Sequence, residues 1–411
     1  MRILIAGAGE VGRHLAKLLA REDHNITLMD ADSSRLQDLD MYDFMTREGN
    51  PTSVHDLKDC GVGRIDLFIA VTPYESINMT ACMIADNLGA AKTLARIDNY
   101  EYLLPKNKEF FASLGVDYLI YPEVLASQGI VESLRKNWMR QYLPFCNGEM
   151  ILLSVKVRSN SEIINKQFIS GYFNHDKYRI VAIKRGNRTI LPKGHDQILS
   201  GDIVFFITNE ENLDFVRRQA GKEDYNIKEV IIAGGTKIAQ KVVQTLPSHY
   251  NVKIIEPDRE LCIALSDKLP NTLIINSDCR DVSVLEYEGI DTADAFVAVM
   301  PNSEANLLTC MVAKRYGVKK TIAEVENIDY FNLAESMDIS AIVNKKTIAA
   351  DNTQPRRAQY PYAIFDRCRS SRAYCSRRIE GYQRYRAKSS SARQRQYRWH
   401  HTQRTRKYRK R

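Results

Sequence analysis

The sequence predicts an α/β protein: two doubly wound parallel-sheet domains in tandem, a small α+β domain between them, and a disordered basic tail. Three observations carry this expectation. More than a hundred residues recur 227 to 228 positions downstream. Within each copy, short Val/Ile/Leu-rich runs alternate with helical patterns. A glycine-rich turn follows the first of those runs at once.

The repeat is visible in several blocks. Ile3-Leu-Ile-Ala-Gly-Ala-Gly-Glu-Val-Gly12 returns as Val230-Ile-Ile-Ala-Gly-Gly-Thr-Lys-Ile-Ala239. Asp66-Leu-Phe-Ile-Ala-Val-Thr-Pro73 returns as Asp294-Ala-Phe-Val-Ala-Val-Met-Pro301, and Asn78 is answered by Asn306. Ala91-Lys-Thr-Leu-Ala-Arg96 returns as Lys319-Lys-Thr-Ile-Ala-Glu324.

In the first copy, strands are expected near 2–6, 26–30, 42–46, 67–71, 93–97 and 117–121, with helices such as Arg13–Arg21 and Asn78–Leu88 between them. Such alternation means parallel strands joined by crossover helices, hence a Rossmann-like sheet. Val124, Val131, Leu134 and Trp138 mark one face of a helix leaving that sheet. Alternating runs at Ile151–Val157, Arg179–Lys184 and Asp202–Thr208, separated by turns at Arg185–Arg188 and Ser200–Asp202, give the small α+β module. The expected order is therefore a first Rossmann-like domain over 1–122, a crossover helix over 123–140 and the small domain over 141–222. A second Rossmann-like domain over 226–350 and a low-complexity tail over 351–411 complete it.

Charge is unevenly spread. The chain has 59 Lys+Arg against 50 Asp+Glu, a net of +9. From Arg356 onward there are 19 basic residues and two acids, so the body carries 40 basic and 48 acidic residues, a net of −8. No apolar run approaches the ~20 residues of a membrane span, and no signal segment is expected at the N-terminus. The eight cysteines show no C-x-x-C spacing, so neither a zinc site nor a disulfide frame is indicated. A reducing cytoplasm is the expected compartment.

Gly7-Ala8-Gly9-Glu10-Val11-Gly12 fits G-x-G-x-x-G between a strand and a helix. Gly7 permits the tight turn, Gly9 lets a pyrophosphate approach the backbone, and Gly12 lets helix and strand pack closely. The open N–H groups of the helix start then face the phosphates. Asp30, 18 residues beyond Gly12, ends the second strand, where a carboxylate binds ribose hydroxyls and repels a 2′-phosphate. NAD(H) is the expected ligand, with ATP or ADP as alternatives. Thr72 and Pro73 follow strand four, and Arg96 closes strand five, where a guanidinium could neutralise phosphate or form a surface ion pair.

Catalytic machinery is not evident. His175 and His195 lie in polar, turn-like surroundings, and Cys60, Cys82, Cys262 and Cys310 sit in apolar helical settings expected of core thiols. No G-x-S-x-G, H-E-x-x-H or Walker lysine occurs. A dehydrogenase of unknown substrate and a nucleotide-sensing nucleic-acid regulator are the alternatives to a binding protein.

The tandem order, Gly7–Gly12, Asp30-Ala-Asp32, Val71-Thr72 with Glu75–Asn78, Ala95-Arg96-Ile97, and the middle-domain Val181–Gly186, Pro192 and Gly201-Asp202 resemble the RCK (KTN) regulators of potassium transport, in particular their TrkA type. The resemblance covers roughly residues 1–350. It implies a cytoplasmic, non-enzymatic ring peripheral to the inner face of the membrane, gating a Trk-type potassium-transporter subunit as nucleotide binds. By the same likeness Gly7, Gly9, Gly12, Asp30, Thr72 and Arg96 would hold that nucleotide.

The second copy is eroded on the phosphate side only. Gly234 and Glu256 keep the turn glycine and the ribose-side acid, but Thr236 replaces Gly9, Ala239 replaces Gly12, Met300 replaces Thr72 and Glu324 replaces Arg96. Poor dinucleotide binding is expected there. The resemblance also implies a second small domain from about residue 360. Arg/Gln/Tyr/Ser-rich sequence stands there instead, which cannot bury enough apolar surface to fold alone. A frameshifted reading of that domain is the favoured explanation, ahead of an arm for nucleic acid or for anionic lipid. Nucleic acid is not expected as a partner.

Overall fold

The computed structural model describes residues 1–20, 24–39, 41–145, 148–173, 176–186, 188–223, 225–327, 330–345 and 348. His175 and the whole of the tail lie outside the described residues. Two compact units form, one holding both parallel sheets and the other most of an antiparallel sheet.

The first half runs β1 (Arg2–Ala6), α1 (Glu10–Ala20), β2 (Asn25–Asp30), β3 (Met45–Glu48), α2 (Val54–Asp59), β4 (Leu67–Ala70), α3 (Glu75–Asn87), β5 (Thr93–Arg96), α4 (Pro105–Ser113), β6 (Tyr118–Ile120) and α5 (Pro122–Arg135). The strand order is β3-β2-β1-β4-β5-β6, and every described pairing in the sheet is parallel. Chain direction across the sheet reverses between β1 and β4, the switch point where doubly wound sheets open a crevice at their carboxyl edge. Ile3–Ala6 and Leu67–Ala70 are buried on both faces, as central parallel strands must be.

Two expectations are corrected. The third strand lies at Met45–Glu48, not 42–46. Tyr42 and Phe44 stack on each other instead, with centroids 5.8 Å apart, and pack against the α1 core, where Lys17 lies over the Tyr42 ring. Their side chains are worth more in that core than in an edge ladder that begins with Met45 opposite Thr27. The crossover helix ends at Arg135, so Trp138 is not on it. The connector beyond it is held from outside, because Lys320 Nζ donates to the Asn137 and Met139 carbonyls at 3.2 and 2.9 Å.

The second unit contains β8 (Met150–Lys156, shared with the first), β9 (Tyr178–Arg185), β10 (Arg188–Ile190), β11 (Ile203–Thr208) and α6 (Leu213–Gln219). With β7 (Gln141–Phe145) the sheet order is β10-β9-β11-β8-β7, and β9 pairs antiparallel with β10 and β11. Gly201 takes φ +90° in the turn before β11, a conformation that favours glycine. The buried Asp202 then accepts both Nε and Nη2 of Arg185 at 2.9 Å and the Leu199 N–H at 2.9 Å. His195 is exposed.

The second half repeats the first: β12 (Glu229–Ala233), α7 (Lys237–Thr245), β13 (Asn251–Glu256), α8 (Arg259–Lys268), β14 (Leu273–Asn276), α9 (Val282–Tyr287), β15 (Ala295–Ala298), α10 (Ser303–Arg315), β16 (Lys320–Glu324), α11 (Phe331–Ser336) and β17 (Ala341–Val343). Its strand order, β14-β13-β12-β15-β16-β17, is the same. The α5 helix follows the first half in sequence but packs in the core of the second. Ala126, Ile130, Val131 and Leu134 share one buried cluster with Val230, Ile232, Ile238, Ala239 and Val242.

Candidate nucleotide-binding site

The turn between β1 and α1 lies at the switch point. Gly7 takes φ +108°, its N–H donates to the Met29 carbonyl, and a Cβ there would come 2.9 Å from the Thr72 nitrogen. A Cβ on Gly12 would lie 1.7 Å from the Gly7 oxygen, so helix and turn are closer than any side chain permits. Gly9 is different. A Cβ there would meet nothing within 4 Å, so the absent side chain leaves open space above the first turn of α1. Gly9 also precedes the helix and accepts the Arg13 N–H, and it brings no side chain over the first turn of α1. Open space over a helix N-terminus fits a phosphate group.

Asp30 is buried, and its carboxylate accepts the Ala8 N–H at 2.6 Å and the Asp32 N–H at 2.9 Å. It therefore fixes the turn, and each oxygen retains a lone pair for a ribose hydroxyl. Asp32 takes the Ser34 hydroxyl and N–H, which hold its carboxyl below the usual range. Two arginines that motif reading did not single out border this end. Arg13 donates from Nε to the Ala8 carbonyl at 3.0 Å, and Arg35 Nη1 stands 3.9 Å from Asp30.

On the other wall, Thr72 is tied to α3. Its N–H and hydroxyl both donate to Asn78 Oδ1, at 2.9 and 2.7 Å. The Asn78 amide donates in turn to the Thr72 and Arg96 carbonyls, so one buried side chain pins the ends of β4 and β5 together. Pro73 continues the wall between Thr72 and α3. Arg96 is part-buried, with Nη2 3.9 Å from Glu123 Oε1. The alternative of an ion pair is thus realised, loosely, on a side chain that still borders the crevice.

The second crevice keeps the frame and changes the chemistry. Gly234 takes φ +99° and donates to the Ile255 carbonyl. Glu256 accepts the Gly235 and Asp258 N–H groups at 2.7 and 3.0 Å, reproducing the work of Asp30. Asn306 likewise accepts the Met300 N–H and donates to the Met300 and Glu324 carbonyls. Thr236, however, caps α7 itself, its hydroxyl accepting the Ala239 N–H at 3.5 Å. Glu324 is buried and pairs with Lys345 at 3.4 Å, while Lys345 also meets Glu326 at 2.6 Å. Burial raises the Glu324 carboxyl; it works against the Lys345 ammonium, which the two acids nevertheless hold above its usual value. Where the first crevice has open space at Gly9 and a cation at the end of β5, the second has a capping hydroxyl and an acid paired with Lys345.

Family comparison agrees with the duplicated architecture. The TrkA-N domain model matches residues 3–122 and again 230–345, and the TrkA-C domain model matches 152–221. The Trk system potassium uptake protein TrkA of Haemophilus influenzae is 34% identical over 358 residues, covering 85% of this chain and 78% of that protein. The chain belongs to the TrkA family. The Halomonas elongata TrkA is 32% identical over 363 residues, covering 87% of this chain and 79% of its own. Among solved structures, the GsuK RCK domain superposes with a TM-score of 0.61 at 14% identity, over 85% of this chain and 75% of that one. The GsuK channel bound to NAD gives 0.59 at 14% identity, over 85% and 62%. At such identities these two show a shared fold. Among the described residues no helix is long and apolar enough to cross a membrane, and no group of three or more His, Cys, Asp or Glu could hold a metal ion.

Proposed function

We propose that the chain is a nucleotide-responsive regulatory subunit of a potassium-uptake system, with its first crevice as the sensing site. The observation that carries this is the open space at Gly9 over the start of α1, set opposite Asp30. Gly7, Ala8, Gly9, Glu10, Val11 and Gly12 would cradle the phosphates, Asp30 the ribose, and Thr72, Pro73 and Arg96 the far wall. NAD(H) is the first choice of ligand and ATP or ADP the second, since each offers a ribose with free hydroxyls and a phosphate chain. Gly234 and Glu256 keep the second turn in shape, and that half serves mainly to complete the assembly. The working division is 1–122 for sensing, 123–140 for the crossover, 141–222 for the small domain and 226–350 for the second Rossmann-like domain.

The relatives named above are potassium uptake proteins of the Trk system. By that kinship the partner is a Trk-type membrane subunit, approached from the cytoplasmic face by a ring of these domains. Regulation needs only that the nucleotide bind two conformations with different affinity, so no bond need be broken. Calorimetry of the full chain against NAD⁺, NADH, ATP and ADP tests the ligand, and nucleotide-dependent capture of the membrane subunit tests the partner. Steady oxidation of NADH with a carbonyl substrate would favour a dehydrogenase instead.

A further inference from the structure

Glu123 is an unusually placed acid. It is the second residue of α5 and its side chain is only 16% exposed. One oxygen has the long contact of 3.9 Å to Arg96, and the other, Oε2, is buried without a hydrogen-bond partner. A carboxylate stripped of water and given one long contact is poorly compensated. Its charge is nevertheless felt: after burial, Glu123 is the next cause of the rise of the Tyr121 phenol to about 12.

The repeat clarifies what the pair is for. In each half a charge at the end of the fifth strand is met by an opposite charge from the element after the sixth. In the first half this is Arg96 with Glu123, and in the second, with signs reversed, Glu324 with Lys345. The second pair is closer, at 3.4 Å against 3.9 Å, and its lysine is shared with Glu326. The Glu123 field also reaches that second pair, adding to the upward shifts of both Glu324 and Lys345. Behind Glu123, α5 is embedded in the second half through Ala126, Ile130, Val131 and Leu134, and a Cβ on Gly129 would touch Ile348 at 3.8 Å. A carboxylate bordering the first crevice is thus fixed to the head of a helix buried in the other half.

We propose that Glu123 is an internal competitor for Arg96: a ligand phosphate in the first crevice takes over the guanidinium, and the released carboxylate at the head of α5 conveys occupancy to the second half. This rests on the nucleotide reading of the first crevice. Glu123 is a positioning residue, acting on the ligand through Arg96.

The test uses the full chain, with calorimetry against adenosine, AMP, ADP and NAD⁺, and hydrogen–deuterium exchange over α7 and β16 with and without saturating ADP. Glu123→Gln is expected to tighten ADP roughly two- to fivefold, the scale of a part-exposed ion pair, and to leave adenosine unchanged within error. Glu123→Asp keeps the charge and should stay near wild type. On an Arg96→Gln background, Glu123→Gln should have no further effect, which a double-mutant cycle reads directly. In wild type ADP should alter exchange over α7, and in Glu123→Gln that response should at least halve although the ligand is bound. Unchanged ADP affinity, or equal tightening of adenosine, overturns the competition. A wild-type chain that binds ADP with no change over α7, or a Glu123→Gln chain with an undiminished response, overturns the transmission. A wild-type chain that binds none of the four ligands overturns the nucleotide reading itself.

Discussion

Replacing Gly9 by Thr transplants the second crevice's residue into the first and separates folding from binding. A Cβ at Gly9 enters open space, so the substitution meets no steric barrier. Thr and Gly are nearly equal as helix N-caps, within a few tenths of a kcal/mol. Losing a glycine from the unfolded chain favours the variant by about 0.4–1 kcal/mol. Stability should therefore stay within about 1 kcal/mol of wild type. Binding should fall, because the new hydroxyl takes the Gly12 N–H, as Thr236 takes the Ala239 N–H, and its methyl group fills the phosphate space. One charge-assisted hydrogen bond is worth about 1.5–3 kcal/mol, or roughly ten- to 150-fold in affinity. Gly12→Ala is the contrast. Its Cβ would stand 1.7 Å from a backbone oxygen, so turn and helix must part, at about 1–3 kcal/mol or more. Denaturant unfolding and calorimetry on both variants provide the assay. A Gly9→Thr chain that binds nucleotide within twofold of wild type would refute the phosphate cradle, and one that loses several kcal/mol would refute the open space.

Further outcomes follow from buried groups. Asn78→Ala strips partners from the Thr72 N–H and from the Thr72 and Arg96 carbonyls, and should cost about 2–4 kcal/mol in denaturant unfolding. Lys320 is fully buried, and burial first, then the nearby Arg140, Lys314 and Lys222, lower its amine to about 7. Between about pH 7 and 10 the unfolded chain then binds a proton that the folded chain does not, so stability attributable to Lys320 rises with pH at up to about 1.4 kcal/mol per unit. Lys320→Met should lose that slope in unfolding measured from pH 6 to 10. Equal slopes would show that Lys320 stays charged in the folded chain. Cys82 and Cys310 occupy equivalent buried positions, and burial pushes both thiols well above their usual range. A disulfide reagent should reach them only as fast as the chain opens, and rapid native-state labelling would contradict that burial.

The parts of the fold legible in the sequence were those in which a backbone constraint dictates residue type. Gly12 is such a place, since the 1.7 Å approach to Gly7 leaves no room for any Cβ. So are the doubly buried strands, whose unbroken apolar runs suit burial on both faces. Less legible was what a side chain does once in place. Asp30 stands where the motif predicts, but its contacts show that it also holds the turn, by accepting the Ala8 and Asp32 N–H groups. Tyr42 and Phe44 look like strand residues, yet chose the α1 core. Glu123 escaped notice, although Pro122-Glu123 is an ordinary helix-opening pair that could have drawn attention to it. Least legible was the destination of α5. An apolar stripe says that a helix is buried but not in whose core, and here the core is built by residues a hundred positions further on.

That arrangement bears on how the chain is made. A ribosome adding about 5–20 residues per second releases α5 well before β12, α7 and the strands that will cover it exist. For roughly ten to forty seconds the stripe from Ala126 to Leu134 has no place to go. The nascent first half should therefore engage holding chaperones until the second half emerges. Genes that split the protein between its two copies would produce fragments that stay soluble only when synthesised together.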